Sequence, residues 1–389
     1  MTYRLSLMWN SGLRGRRWSV LSHAVVLAVA LTIASAAAGW VIGQPKAGSP
    51  AVAQELEPYG EPELEKIRMS LQRAIPLLEA GARGSLEKRG HCFTCHNQGY
   101  PLLALRAARD RGWKIDEAEF QRQTRHVAEF LEKNRERFLE GKGTGGEVAT
   151  AGNALWALAS ADYPANETTA AVTQYLLGFR PEKSFWQMTS DRPPSEHADV
   201  TATYLAIRGL TRYATEPQRV RRDERFAQVR TWLKTFTPTE TEEHVYRLWC
   251  WHALSDANAD PVPESVPESV PEPVRQATQQ LLDLQQTDGG WAQKPGMATD
   301  AYATATALVV LHEAGGLAVT DQRYRRGVQA LLESQQPDGS WHVVSRSKPF
   351  QTYFESGFPH GKDQFISITA SAWAVLALAR TCPVVERDR

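Results

Sequence analysis

Two kinds of helical segment alternate along the chain. The first is apolar around most of its circumference and rich in small residues: PLLALRAARD (101–110), EVATAGNALWALAS (147–160), DVTATYLAIRGL (199–210), EEHVYRLWCWHAL (242–254), DAYATATALVVL (300–311) and FISITASAWAVLALA (365–379). A helix with so little polar face belongs inside a fold. The second kind carries many charges opposite an apolar stripe, near 64–80, 117–138, 167–179, 222–236, 271–286 and 322–336. These segments predict outer helices, and Gly or Pro turns separate the two sets. Six inner helices alternating with six outer ones predict an all-α fold, a closed double ring of six helical hairpins. It spans 64–381, with a linker at 54–63 and a C-terminal tail at 382–389.

The outer segments also repeat in sequence. Ala277–Trp291 reads ATQQLLDLQQTDGGW, and Gly327–Trp341, at an offset of 50 residues, reads GVQALLESQQPDGSW. Gln285, Asp288, Gly289 and Trp291 thereby meet Gln335, Asp338, Gly339 and Trp341. Val172–Trp186 is a worn third copy and Val229–Pro238 a fourth. Periods of this length mark repeat architectures. The Gln…Gly-x-Trp ending resembles the QW motif of squalene-hopene cyclases and their relatives. The resemblance covers roughly 64–381 and implies the (α/α)6 toroid that those families share with protein prenyltransferase β-subunits. It also implies that Gln285, Trp291, Gln335 and Trp341 tie neighbouring helices together.

The first 53 residues are set apart. Arg4, Arg14, Arg16 and Arg17 precede an apolar run from Val20 to Gly43, and Ala51-Val52-Ala53 follows. This is the pattern of a signal peptide, and the run is long enough to serve as an uncleaved transmembrane anchor. Either predicts export to the periplasm or the outer face of a membrane. The chain carries 44 basic and 44 acidic residues, so no net charge favours nucleic acid. The PVPESVPESVPEPV run, 261–274, reads as an extended connecting loop.

Residues 91–96 read His-Cys-Phe-Thr-Cys-His. Cys92, Cys95 and His96 have the spacing that attaches one covalent c-type haem. Two thiols add to the vinyl groups at one haem edge, and the next imidazole becomes the proximal ligand of the iron. Attachment takes place outside the cytoplasm, so the export pattern and the motif agree. A CxxC redox pair, or a zinc site drawing on His91 and His96, are the alternatives.

In a ring of hairpins all outer-to-inner connections lie on one rim. That places the haem motif beside the QW turns and beside Met188, His197, Met297, His342 and His360. His360 and then Met297 are the expected distal iron ligands. Glu147, Asp199 and Asp300 begin inner helices on the same rim, either as helix-terminal charges or as a ring of carboxylates. The terpene-cyclase resemblance singles out His197-Ala198-Asp199-Val200-Thr201-Ala202. Class II cyclases use Asp-x-Asp-Asp-Thr-Ala, and Asp199 stands where the proton-donating middle Asp stands. His197 and Val200 replace its neighbours, so cyclisation of squalene is not expected. Trp156, Trp249, Trp251 and Trp373 fall on inner helices, as core filling or as a cation-stabilising wall. Three functions are therefore open: an exported haem protein for redox, electron transfer or sensing with a redox partner; a terpene-cyclase-like isomerase working through Asp199 and His197; and a scaffold for a small apolar ligand.

Overall fold

The computed structural model describes residues 59–255, 270–348 and 352–383. They belong to one compact unit. The export segment and most of the proline run lie outside the described residues. Among the described residues no helix is long and apolar enough to cross a membrane.

The described chain is helical, with two isolated β-bridges. The helices are α1 (Glu61–Arg89), α2 (Tyr100–Asp110), α3 (Glu117–Lys133), α4 (Arg135–Leu139), α5 (Glu147–Ser160), α6 (Glu167–Gly178) and α7 (Asp199–Tyr213). They continue as α8 (Arg219–Leu233), α9 (Thr241–Ser255), α10 (Glu272–Leu282), α11 (Ala301–Glu313), α12 (Gln322–Ser334) and α13 (Gln364–Ala379). Helices α2, α5, α7, α9, α11 and α13 pack side by side in that order, and α13 returns to α2. They form the expected inner ring. Helices α1, α3, α6, α8, α10 and α12 cover it, each against its own hairpin partner or that partner's neighbour. Burial follows the sequence pattern. Every residue of α13 from Ile366 to Ala379 is buried, whereas α12 buries only Tyr324, Gly327, Val328 and Leu331.

Each repeat is fastened by the same few bonds. The Trp291 indole donates to Leu281 O at 2.8 Å, and its backbone N–H donates to Thr304 Oγ1 at 2.9 Å. Trp341 does the same with Leu331 O at 2.7 Å and Ser371 Oγ at 3.0 Å. The worn copy keeps the device: Trp186 donates to Leu176 O at 2.7 Å and to Thr203 Oγ1 at 3.1 Å. The indole thus satisfies a carbonyl near the end of the outer helix, a group that helix ends leave unpaired. The glutamines join one outer helix to the next. Gln285 Nε2 donates to Arg323 O of α12 at 2.7 Å. Gln335 Nε2 donates to Ser70 O of α1 at 3.0 Å, so the last hairpin closes on the first.

Helix α1 is longer than expected. Its 81–89 stretch, beyond the outer helix expected near 64–80, carries Gly81 and Gly84 and stays helical. The glycines serve close approach. A Cβ on Gly84 would lie 1.9 Å from Ser356 O, and one on Gly81 would lie 2.6 Å from Ile368 Cδ1. Helix and loop backbones can meet there only without side chains.

Candidate functional site

Two chemical clusters occupy the rim formed by the outer-to-inner connections. The first is the CxxCH segment. Cys95–Gly99 form one π-helical turn between Thr94 and α2. Such turns recur at functional sites because they displace side chains from the regular helix register. Polar bonds fix this one: Gln98 Oε1 accepts the Thr94 N–H at 2.8 Å, and Gln98 Nε2 donates to Gln123 Oε1 of α3 at 2.9 Å. His126 Nε2 lies 3.0 Å from Cys92 O.

His96 points inward. Its Nε2 lies 3.0 Å from Ser195 Oγ and its Nδ1 3.5 Å from Glu196 Oε1. Glu196 is itself paired with Arg192. Tyr100 and Phe365 meet the imidazole edge-on. Burial, with the Arg192 charge adding to it, lowers the His96 pKa to about 3, so the ring is neutral. A neutral imidazole keeps a lone pair, and a carboxylate at Nδ1 directs that lone pair to Nε2. The thiols face elsewhere. Cys92 lines a rim cavity of about 400 Å³ together with His91, Phe93, Phe130 and Thr150. Cys95 lies against Thr150 and Asn153 of α5, and burial raises its thiol to about 11. That shift makes Cys95 a poor thiolate nucleophile at neutral pH. His91 and His96 are parted, and among the described residues no group of three or more His, Cys, Asp or Glu has metal-binding spacing.

The His360 ring is held by other contacts, and Met297 is bonded through its backbone. His360 Nε2 lies 2.7 Å from Ser340 Oγ, and its ring stacks on His342 at 4.5 Å. Met297 closes a turn, its carbonyl accepting from Gln286 Nε2 at 3.1 Å.

The second cluster sits at the head of the inner ring. Glu242 begins α9 and is buried. Its Oε2 accepts the Tyr302 hydroxyl at 2.8 Å, and its Oε1 accepts the Thr201 hydroxyl at 3.3 Å. Tyr100 and Tyr246 lie close enough to act on it and on each other electrostatically. Their buried hydroxyls interact with each other, and that of Tyr100 also with Asn153. Burial pushes the Glu242 carboxyl up to about 8, so it is largely protonated at neutral pH. Buried aromatic rings pack beside Tyr100 and Tyr246. Trp156, Trp249 and Trp373 form a triangle with centroids 5.6 to 5.8 Å apart, and Tyr100 lies against Trp373 at 5.5 Å.

Asp199 and His197 diverge. Asp199 Oδ1 accepts the Met188 N–H at 2.8 Å, while His197 is exposed and pairs with Asp191 at 2.8 Å. Asp300 caps α11, accepting from Tyr302 N and Ala303 N at 2.9 and 3.1 Å. Glu242 was not among the acids singled out in the sequence. The available signal was its place: it starts an inner helix on the same rim as Glu147, Asp199 and Asp300.

No family model matches the chain. A drimenyl diphosphate synthase of Streptantibioticus cattleyicolor is 29% identical over 196 residues, 49% of this chain and 34% of that protein. The chain thus spans about a third of that relative's length. The apo type II terpene cyclase MstE from Scytonema superposes with a TM-score of 0.51 at 15% identity, covering 83% of this chain and 99% of that one. The fold is a terpene-cyclase-like α/α toroid. A glycosidase variant in complex with glucose superposes equally well, with a TM-score of 0.52 at 11% identity over 84% of this chain and 100% of that one. Likeness at these identities carries the toroid alone, and function has to be argued from the site.

Proposed function

We propose that this toroid is a terpene-cyclase-like isomerase acting on an oxygenated isoprenoid, with Glu242 as its general acid. The observation that carries the reading is a buried, protonated carboxyl beside a packed aromatic cluster at the head of the inner ring. The drimenyl diphosphate synthase among its similar proteins supports the same chemistry. The Glu242 proton passes to an epoxide oxygen and the C–O bond opens. The carbocation formed is attacked by a neighbouring double bond, making a C–C bond. The final cation loses a proton to the Glu242 carboxylate, which restores the acid. The Trp373 ring, packed against Tyr100, would favour the positive charge by the attraction that draws ammonium groups to indoles. An acid with a pKa of about 8 suits an epoxide oxygen and is far too weak for an unactivated alkene. Oxidosqualene and a shorter terminal polyprenyl epoxide should therefore give cyclic alcohols by gas chromatography, and squalene none. Asp199→Asn should retain product and Glu242→Gln should lose it. Failure of every epoxide tested would remove the isomerase.

A second reading rests on Cys92, Cys95 and His96: an exported toroid bearing one covalent haem c for redox, electron-transfer or sensing work. It is favoured by a neutral His96 with the Glu196 carboxylate 3.5 Å from its Nδ1. Cys92 and Cys95 would hold the haem edge and His96 the iron, which supplies electron-transfer chemistry when bound. Ser195 occupies His96 Nε2 and would yield it. Protein made with the haem-attachment machinery should keep its haem through acid-acetone extraction in a pyridine haemochrome assay, and Cys92→Ser with Cys95→Ser should abolish it. Where the spectrum is low-spin, His360→Ala or Met297→Ala should turn it high-spin for the true distal ligand. Freely extractable haem ends this reading without touching the first.

A further inference from the structure

The lining of the rim cavity beside Cys92 includes neither Cys95, His96 nor Glu242, so it is a site apart from the buried imidazole and the buried acid. Phe93 and Phe130 give it an apolar wall, their rings 6.1 Å apart and tilted at 42°. Lys133, the last residue of α3, and Arg137 of α4 line it and are exposed. No Asp or Glu lines it. The acids that neighbour the two cations along the chain are engaged elsewhere: Glu132 with Thr168, Glu136 with Arg135 and Glu140 with Lys142. Arg137 is held in place, its Nε donating to Gly143 O at 2.8 Å. Among the described residues neither its terminal nitrogens nor the Lys133 ammonium has a hydrogen-bond or ion-pair partner. The Thr144 hydroxyl, also in the lining, is buried and has none either.

We propose that this cavity binds a small aromatic carboxylate, an aryl acid of one or two fused rings, with its ring on Phe93 and Phe130 and its carboxylate met by Lys133 and Arg137. The physical logic is a division of labour. The two phenyl rings take the aryl group out of water, in the offset and edge-on arrangements that aromatic rings prefer. The cations meet the carboxylate where solvent still reaches them. Arg137 offers a planar fork that matches a carboxylate, and Lys133 a point charge on a flexible stem. An uncharged ring would leave both cations unanswered, and an inorganic anion would leave the phenyl wall wet. A volume of about 400 Å³ lies at the small end of the range for ligand sites, which suits one or two rings. The Cys92 thiol, free in this structure and part of the lining, is a reporter of occupancy.

The test titrates 2-naphthoate into the reduced, haem-free full chain by calorimetry. Its amide, alike in ring and shape and lacking charge, is the comparison. The acid should bind at least about tenfold more tightly than the amide, the size of one charge-assisted hydrogen bond. Lys133→Glu and Arg137→Gln should each remove most of that difference, and added salt should weaken it. Both positions are exposed, so circular dichroism should be unchanged. Alkylation by iodoacetamide, an uncharged reagent, gives the location. With peptides read by mass spectrometry, saturating naphthoate should slow the modification of Cys92 severalfold and leave that of the half-buried Cys382 unchanged. Equal binding of acid and amide, variants that match the parent, or equal protection at Cys92 and Cys382 would overturn the assignment. Octanoate that binds as tightly as naphthoate would remove the aromatic class.

Discussion

Glu242→Gln will stabilise the fold above neutral pH while removing its acid chemistry. The carboxyl ordinarily titrates near 4.5 and is pushed up to about 8 by burial. The folded chain therefore holds this proton over a window in which the unfolded chain has released it. Wild-type stability from this group is complete below about 4.5 and falls as pH rises through that window, levelling off above about 8. Glutamine has no proton to lose. It can accept from Tyr302 and donate to Thr201, the two hydroxyls now on the carboxyl. At pH 5 the variant should melt close to wild type, and at pH 8 several degrees higher, since a tenfold difference in proton affinity between the folded and unfolded chain is worth about 1.4 kcal/mol. Calorimetry at the two pH values reads the difference. Product formation from a polyprenyl epoxide should vanish in the variant at both. A residue with a merely structural role would not show greater stability together with total loss of turnover. A variant that is less stable at pH 8 would mean that Glu242 is ionised and paired in the fold.

Gly339→Ala should open the ring at its seam. Gly339 has φ +96°, a conformation that side chains resist, and an added Cβ would fall 2.6 Å from Arg73 Cβ and 2.8 Å from Arg73 C and O of α1. Gln335, four residues earlier, makes the bond to Ser70 O across the same seam. Strained backbone and overpacking against a helix backbone add, for a loss of about 3 to 5 kcal/mol in urea denaturation. Gly296→Ala is the control. It has φ +82° and nothing within 4 Å of its added Cβ, so only the backbone strain of about 1 to 2 kcal/mol remains. Equal losses at the two sites would show that the seam tolerates a methyl group.

The two rings were legible because burial leaves a compositional trace. Helix α13 has almost no polar side to spare, and α12 carries charges opposite a narrow stripe. The Gln and Trp bonds were legible as a repeated spacing. What the sequence hid was the meaning of residues that look conventional. Gly81 and Gly84 lie past the expected end of the outer helix, and the approach of Ser356 and Ile368 explains them. Glu242 sits in Thr-Glu-Thr-Glu-Glu, which reads as a solvated helix start. Its burial arises from Thr201 and Tyr302, 41 and 60 residues away. Conversely, His197 and Asp199 carry a recognisable pattern, yet each side chain is engaged by a different group.

Closure of the last hairpin onto the first has a thermodynamic corollary. A linear array of helix pairs can fray from its ends, and its end repeats need polar caps. Here α1 touches both α12 and α13, so every hairpin has two neighbours and none is terminal. Loss of any hairpin strips two others at once. Melting should accordingly be a single event whose calorimetric and van't Hoff enthalpies agree, with no partial unwinding from either terminus.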